Sequence, residues 1–304
     1  MKRILFALIA LTAMASVSAQ EIQIYRNNRL IETYTNTANE HYTVKFTDVG
    51  NLDKINGHEF VLINGLKWAT MNVGATTVAE SKETAYGDFY AWGEIATYYT
   101  KCPTDTGTVT SWKGNNTESH IHGNTYSHNW ICYCGNHNKD NKFYEWAPKP
   151  YDNNILKPEY DVARKSWGGT WRIPTQKDFI NLINACGGYD IKQLPTGITE
   201  PTITEGGIYW VPAGTIIDTF QYDVSGFLFV STVDPNNRVF FPAAGNIQNI
   251  KRYSVATLCT YWSSNIDKTD SPNAHNLYIS STNGITRNSI HSRCNGYSIR
   301  PVSD

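Results

Sequence analysis

The sequence contains few charged residues and no excess of either sign. Asp, Glu, Lys and Arg account for 17% of its 304 residues, whereas about a quarter is usual for soluble proteins. The formal net charge is -1, so the chain has no basic field that would attract nucleic acid or an anionic membrane. We therefore expect no nucleic-acid partner.

The sequence also lacks an apolar run long enough to span a bilayer as a helix. The run Ile4 to Ala13 is too short, follows two basic residues and precedes the small residues Ala15 to Ala19. This order predicts a secretory signal peptide over residues 1–19, cleaved after Ala19. We expect an exported protein without a membrane span, in the periplasm, on the cell surface or in the medium.

Cysteine is uncommon, with six residues in the whole chain. Disulfides are allowed in an exported protein, but a chain of this length can bury a sufficient core without them. Cys186 is predicted to be either a small buried hydrophobe or half of a core disulfide. The sequence leaves the pairing open among Cys102, Cys132, Cys134, Cys186, Cys259 and Cys294.

The clearest local signal is a helix over about residues 176–186, which follows the glycine- and tryptophan-rich segment Trp167 to Thr175. Thr175 and Asp178 have the spacing of a capping box, in which a hydroxyl and a carboxylate bind unpaired amides of the first turn. Gly187 and Gly188 predict its end. One apolar face is formed by Phe179, Leu182, Ile183 and Cys186.

Most of the remaining chain predicts short strands separated by turns. Ile22–Tyr25 and Leu30–Tyr34 flank an Asn-Asn turn and predict a hairpin, with Tyr42–Phe46 as a third strand. These strands form an N-terminal β module over residues 20–57. Pro158 to Arg164 predicts a short second helix. Later strands are predicted at Ile208–Val211, Gly226–Val230, Arg238–Phe241, Tyr261–Ser264, Asn276–Ser280 and Tyr297–Val302.

Residues 97–153 lose hydrophobic periodicity and predict a polar loop insertion. Imidazole and thiolate groups crowd there and are able to bind zinc, although their spacing matches no ordered zinc motif. We expect a solvated insertion without a cofactor, and a disulfide involving Cys102 is one way in which it could be closed. A zinc site is the alternative. The candidate metal ligands are His120, His122, His128, Cys132, Cys134 and His137.

Six motifs follow one another along the chain: Trp68–Ala75, Tyr86–Glu94, Trp167–Thr175, Phe241–Gly245, Tyr261–Ser264 and Gly296–Val302. Together they resemble the Fibrobacter succinogenes major paralogous domain family, which is widespread in secreted proteins of Bacteroidota-type bacteria. The resemblance covers about residues 58–304. It implies an α+β, C-type-lectin-like domain with mostly short antiparallel strands, two helices, and paired first and last strands. We expect structural roles for Trp167, Trp171, Arg172, Thr175, Trp262 and Arg300.

The resemblance leaves several functions open. A sugar-binding C-type lectin holds calcium through a Glu-Pro-Asn loop and a Trp-Asn-Asp strand. The strand Tyr261–Asn265 lacks the acidic ligand that calcium prefers, so calcium-dependent binding of that kind is not expected. An enzyme related to the formylglycine-generating enzymes needs two closely placed cysteines, whereas Cys259 and Cys294 are distant in sequence. The segment Asn273–Asn295 contains a mixture of Asn, Ser, His, Arg and Tyr. Such a mixture is found in the diversified surfaces of variable proteins of the same fold, but Asn and Ser are also common in ordinary β-turns.

We therefore expect a non-enzymatic binding or adhesion protein whose aromatic and Asn-rich loops bind a glycan or protein ligand. Trp112, Trp130 and Trp146 are the candidate ligand-binding residues. Two alternatives remain. One is a metal-dependent or redox enzyme that uses the His and Cys residues of the insertion. The other is a structural subunit of a surface assembly, whose N-terminal strands pair with a neighbouring sheet.

The signal peptide gives the first testable prediction. When the full-length chain is expressed in an exporting bacterium, the exported protein should begin at Gln20, because small residues at Val17 and Ala19 suit signal peptidase. N-terminal sequencing and intact mass would measure this. An exported chain that still carries Met1 would contradict the prediction.

Overall fold

The computed structural model describes residues 21–26, 29–35, 54–97, 99–101, 103–108, 111–112, 151–194, 197, 199–248, 251–268, 273–293 and 295–304. Within these ranges the chain forms short, mostly antiparallel strands and three α-helices. The predicted α+β class is therefore confirmed.

The elements follow one another in this order: β1 (Glu21–Arg26), β2 (Arg29–Thr35), β3 (Lys54–Ile55), β4 (His58–Ile63), β5 (Leu66–Ala69), α1 (Lys82–Ala85), β6 (Tyr99–Lys101), β7 (Gly107–Thr108), β8 (Ser111–Trp112), β9 (Tyr151–Asp152), β10 (Ile155–Leu156), a 3₁₀ helix (Pro158–Tyr160), α2 (Val162–Trp167), α3 (Gln176–Ala185), β11 (Ile191–Lys192), β12 (Gly207–Val211), β13 (Thr215–Ile217), β14 (Phe220–Tyr222), β15 (Gly226–Val230), β16 (Arg238–Pro242), β17 (Asn246–Gln248), β18 (Lys251–Tyr253), β19 (Leu258–Ile266), β20 (Asn273–Ser280), β21 (Gly284–Ile285), β22 (Ile290–Ser292) and β23 (Val302–Ser303).

The helix predicted after Trp167–Thr175 is confirmed as α3. The Thr175 hydroxyl accepts a hydrogen bond from the Asp178 amide, and the Asp178 carboxylate accepts one from the Thr175 amide. Cys186 is the C-terminal cap, so the helix ends one residue earlier than predicted. Gly187 and Gly188 follow with positive φ, a conformation that ends helices.

The prediction of one continuous short helix at Pro158–Arg164 is wrong, because the structure has two separate helices there. Asp161 is extended and separates the 3₁₀ helix from α2. Its buried carboxylate accepts hydrogen bonds from the amides of Ala163, Arg164 and Ile173. This carboxylate caps α2 and holds the later segment beside it, which explains the break.

Helix α1 was not predicted, and it brings the helices in the described ranges to three rather than two. Ser81 caps it by accepting a hydrogen bond from the Thr84 amide. A helix of four residues is too short to show hydrophobic periodicity, which is the main signal in a sequence.

The N-terminal hairpin is confirmed. Strands β1 and β2 pair antiparallel, with Glu21 opposite Thr35 and Arg26 opposite Arg29. The third predicted strand, Tyr42–Phe46, lies outside the described residues. Strand β3 pairs with β4, so residues 54 and 55 belong to the sheet that follows the predicted N-terminal module.

The last strand of the chain pairs with one of the first strands of the main body. Val302 lies opposite Trp68, and Ser303 lies opposite Lys67, in a sheet with the order β23-β5-β4-β3. The predicted strand Tyr297–Val302 is regular only at its end. Its earlier residues form single bridges to Tyr90 and Tyr261, because three different segments share its hydrogen bonds.

Two larger sheets complete the core. One has the order β21-β20-β19-β10-β9, with β22 also paired to β20, and the other has the order β11-β12-β15-β16. The apolar face of α3 packs on them in one buried cluster with Trp68 and Phe241. A second cluster contains Trp167, Trp171 and Trp262. Helix α3 is therefore held at the junction of the sheets, with its N-terminus near β19.

The two cysteines whose side chains are described, Cys186 and Cys259, are buried and form no disulfide. Burial raises the pKa of the Cys186 thiol to about 12, so this thiol is neutral at pH 7. Cys186 therefore acts as a small buried hydrophobe, and the disulfide alternative for it is wrong. The other four cysteines lie outside the described residues.

Arg300 carries a buried guanidinium that joins three segments. It donates hydrogen bonds of 2.8 Å to the carbonyl oxygens of Ala69 and Phe240, and it lies 4.7 Å from the ring centre of Phe241. Its side chain is fully buried. A planar group with several donors can reach two carbonyls at once, whereas an ammonium cannot.

Replacing Arg300 by Lys should therefore lower the free energy of unfolding by about 2–3 kcal/mol, since one buried carbonyl loses its donor. Guanidinium-induced unfolding would measure the loss. Arg287→Lys is the matched control, because Arg287 is exposed and its guanidinium lies over the Tyr189 ring, 4.4 Å from the ring centre. It should cost no more than about 1 kcal/mol. Equal stabilities for the two variants would contradict this account.

Candidate functional site

Most of the predicted site residues lie outside the described part of the chain. This holds for Trp130 and Trp146, and for all six candidate metal ligands: His120, His122, His128, Cys132, Cys134 and His137. Trp112 lies in β8, which pairs with β6. Among the described residues, no group of three or more His, Cys, Asp or Glu side chains could hold a metal ion. No helix in the described ranges is long and apolar enough to cross a membrane.

A polar pocket of about 260 Å³ lies where the N-terminus of α3 meets strands β19 and β20. None of the sequence motifs indicates it. It contains three carboxamides, one carboxylate, one ammonium, one imidazole and one aliphatic side chain. They belong to Asn154, Gln176, Asn265, Asp267, Lys268, His275 and Ile266.

Backbone hydrogen bonds fix the frame of this pocket. Asn154 sits in a left-handed turn between β9 and β10, with φ of 66°, which Asn tolerates better than most residues. Its carbonyl oxygen accepts a 3.1 Å hydrogen bond from the Ile266 amide. The Asn265 side-chain oxygen accepts a 2.8 Å hydrogen bond from the Gln176 amide. The turn, β19 and the first residue of α3 are thus joined directly.

One buried polar atom of the pocket has no hydrogen-bond partner in the described ranges. It is the Nδ1 atom of His275, and the half-buried side chain of Asn154 and the exposed side chain of Lys268 line the same concavity. Most buried polar atoms in folded proteins are paired, either with protein or with water. The unpaired nitrogen therefore makes this concavity a candidate site for a small polar molecule.

Burial and one neighbouring charge act on His275. Burial lowers its pKa below the ordinary value, while the carboxylate of Asp267 opposes that shift. Asp267 is itself 8% exposed. The imidazole is therefore neutral at pH 7, when it offers one donor and one acceptor.

A second polar cluster lies on the opposite face of β20, since alternate residues of a strand point to opposite sides. The Ser289 hydroxyl donates to the side-chain oxygen of Asn276 at 2.9 Å. The Nδ1 atom of His291 lies 3.2 Å from the Asn276 amide nitrogen and 3.3 Å from the Ser289 hydroxyl. Tyr278 stacks on the imidazole with ring centres 5.3 Å apart.

This Ser-His-Asn cluster does not have the geometry of a nucleophilic triad. In such a triad the nucleophile and the orienting group bind different nitrogens of the imidazole. Here both contact Nδ1, and donation by the Asn276 amide places the proton of His291 on Nε2. The imidazole is then a hydrogen-bond donor, and burial lowers its pKa. The cluster fixes a side-chain orientation and has no arrangement for proton abstraction.

The mixed segment Asn273–Asn295 does not form one exposed surface. Asn276, Ser289 and Arg293 are buried, whereas Asn283 and Arg287 are exposed. Part of the mixture therefore serves internal hydrogen bonds and packing. The hypothesis of a diversified surface applies at most to the exposed positions.

The pocket could have been found in part from the sequence. Asp267 follows the strand Tyr261–Asn265 by two residues, and Asn153-Asn154 is a turn signal. No local pattern connects these positions with Gln176 or His275. Only the pairing of β10 with β19, and of β19 with β20, brings them together.

Comparisons with protein families, with curated proteins and with solved structures found no match for this chain.

The electrostatic account of the pocket can be tested by titration. His275 should titrate below its ordinary pKa, and Asp267→Asn should lower that pKa further, because the variant removes the charge that stabilises the imidazolium. NMR of the imidazole carbon-bound protons would measure both values. His291 is the internal control and should not shift in the variant. A higher His275 pKa in Asp267→Asn would contradict the account.

Proposed function

We propose that the protein is an exported, non-catalytic binding or adhesion protein of C-type-lectin-like fold, which takes a glycan or protein ligand at the pocket between α3 and strands β19 and β20. The resemblance of its six motifs to the major paralogous domain family supports the fold. Pairing of β23 with β5 is in keeping with that resemblance. The export signal supports a ligand outside the cytoplasm.

The observation that carries this proposal is the buried, unpaired Nδ1 atom of His275 in a pocket lined by polar side chains. Asn154 lies in the turn between β9 and β10, where the Ile266 amide binds its carbonyl oxygen, and His275 lies in β20 and is held by pairing with β22. A rigid frame lowers the entropic cost of binding, because few side chains must be ordered when the ligand enters. Small-molecule sites typically combine such a preformed concavity with a few convergent polar groups.

The chemistry of the described side chains favours binding over catalysis. A general base must be able to accept a proton near its substrate, and the accepting nitrogen of His291 faces Asn276 and Ser289 instead. The other histidine, His275, has a charged neighbour in Asp267. However, no side chain with a hydroxyl or thiol nucleophile lines its pocket in the described ranges. A ligand held there would be bound without a covalent step.

Binding should be measured on a glycan array and by capture of surface proteins, with the mature wild-type chain and two variants. His275→Tyr should abolish retention of the ligand, because the larger ring fills the pocket while suiting a strand. Tyr278→Phe, on the opposite face of β20, is the matched control and should bind normally. Thermal unfolding would confirm that both variants are folded.

The proposal fails if neither assay detects a ligand for the wild-type chain. It also fails if His275→Tyr and Tyr278→Phe retain the ligand equally well, since the ligand would then lie elsewhere.

A further inference from the structure

We propose that the pocket binds one neutral, hydroxyl-rich sugar unit by direct hydrogen bonds to Asn154, Lys268 and His275. This inference rests on the proposed function, because it names the ligand class of the same pocket. Four properties of the pocket support it: its charge balance, its mixture of donors and acceptors, its number of acidic side chains and its volume.

The charges around the pocket balance. Asp267 and Lys268 are adjacent and opposite in sign, and burial keeps His275 neutral at pH 7. An ionised ligand group would lose its hydration on entering the pocket and would find no unpaired opposite charge there, so its binding would cost free energy. A hydroxyl group carries no such cost. The pocket therefore favours a neutral ligand over a uronate or an amino sugar.

The available groups match hydroxyls in kind. The carboxamide of Asn154 both donates and accepts, the ammonium of Lys268 donates, and neutral His275 offers one donor and one acceptor. The Nδ1 atom of His275 is buried without a hydrogen-bond partner in the described ranges, and the side chains of Asn154 and Lys268 are open to solvent. A hydroxyl can donate and accept at once, so neighbouring hydroxyls of one sugar ring can satisfy a mixed set.

The side chains of the pocket are better suited to hydrogen-bond a sugar directly than to bind it through a calcium ion. Calcium takes about 6–8 oxygen ligands, usually including several carboxylates. Among the described lining residues, Asp267 supplies the one carboxylate, and the oxygen of Asn265 already accepts from the Gln176 amide. Ligand binding should therefore survive removal of divalent cations.

The volume accommodates one sugar ring. The pocket measures about 260 Å³, below the range of about 300–1,000 Å³ typical of sites for drug-sized molecules. Ile266 adds an aliphatic surface to an otherwise polar lining. A single ring with hydroxyls on its edge and carbon–hydrogen groups on its face has the right size and polarity.

The test is an NMR titration of the full mature chain, labelled with nitrogen-15, against named probes. Methyl glucoside, methyl galactoside and methyl mannoside are the neutral set, and glucuronate, galacturonate and glucosamine are the charged set. At least one neutral glycoside should shift the side-chain amide of Asn154 and the imidazole of His275, and EDTA should leave this shift unchanged. Tighter binding of a charged probe, or loss of binding in EDTA, would overturn the inference.

A matched pair of variants tests the site itself. Asn154→Asp keeps a residue that tolerates the left-handed turn, but it replaces two donors by a charge and should weaken binding about tenfold. Asn153→Asp makes the same change at the neighbouring turn position, which is exposed and does not line the pocket. It should bind like the wild type. Equal weakening in both variants would overturn the assignment to Asn154.

The outcome also separates this inference from the proposed function. Suppose that a ligand found by array or capture is lost in His275→Tyr, yet no neutral glycoside shifts the pocket signals up to its solubility limit. The ligand class named here is then wrong, and the protein remains a binding protein. If array and capture detect no ligand for the wild-type chain, the proposed function itself is wrong.

Discussion

The fold depends on the last strand, which is inserted between two segments from distant parts of the chain. On one side β23 pairs with β5, and on the other Val302 exchanges two 2.9 Å backbone hydrogen bonds with Arg172. The guanidinium of Arg300 joins this strand to the carbonyls of Ala69 and Phe240. These contacts join residues from most of the length of the described chain, so the packing of the sheets depends on the C-terminal residues.

Buried arginines are accommodated by aromatic rings and carbonyl oxygens. Arg252 donates to the Ala244 carbonyl and lies 4.7 Å from the ring centre of Phe89. Arg293 is fully buried and lies 4.8 Å from the ring centre of Trp92. A sequence with few charges and 13% aromatic residues can hold cations in this way, since the face of a ring carries negative potential.

The same scaffold positions the pocket. The capping box of α3 fixes the start of the helix, and the amide of Gln176, the next residue, binds Asn265 from β19. The apolar face of α3 meanwhile packs in the core. The side of this helix therefore packs in the core, while its N-terminal end helps to form the pocket.

The sequence by itself determined the local structure. Thr175 and Asp178 predict a cap because their spacing is set within one helical turn, and an Asn-Asn pair between alternating segments predicts the first hairpin. Glycine positions follow the same logic, as at Gly87, where a side chain would collide with the Val73 carbonyl. The break at Asp161 was missed because its carboxylate bonds to Ile173, outside the local window.

Only the tertiary structure decided the candidate site and the role of the mixed C-terminal segment. Asn154 and Gln176 are separated from the β19–β20 hairpin by more of the chain than any local pattern covers, and long-range hydrogen bonds bring them to one pocket with Asn265 and His275. Strand pairing directs Asn276 inward and His275 toward the pocket, although they are neighbours in sequence. Local propensity acts over one turn or one hairpin, whereas a binding site depends on which distant strands share hydrogen bonds.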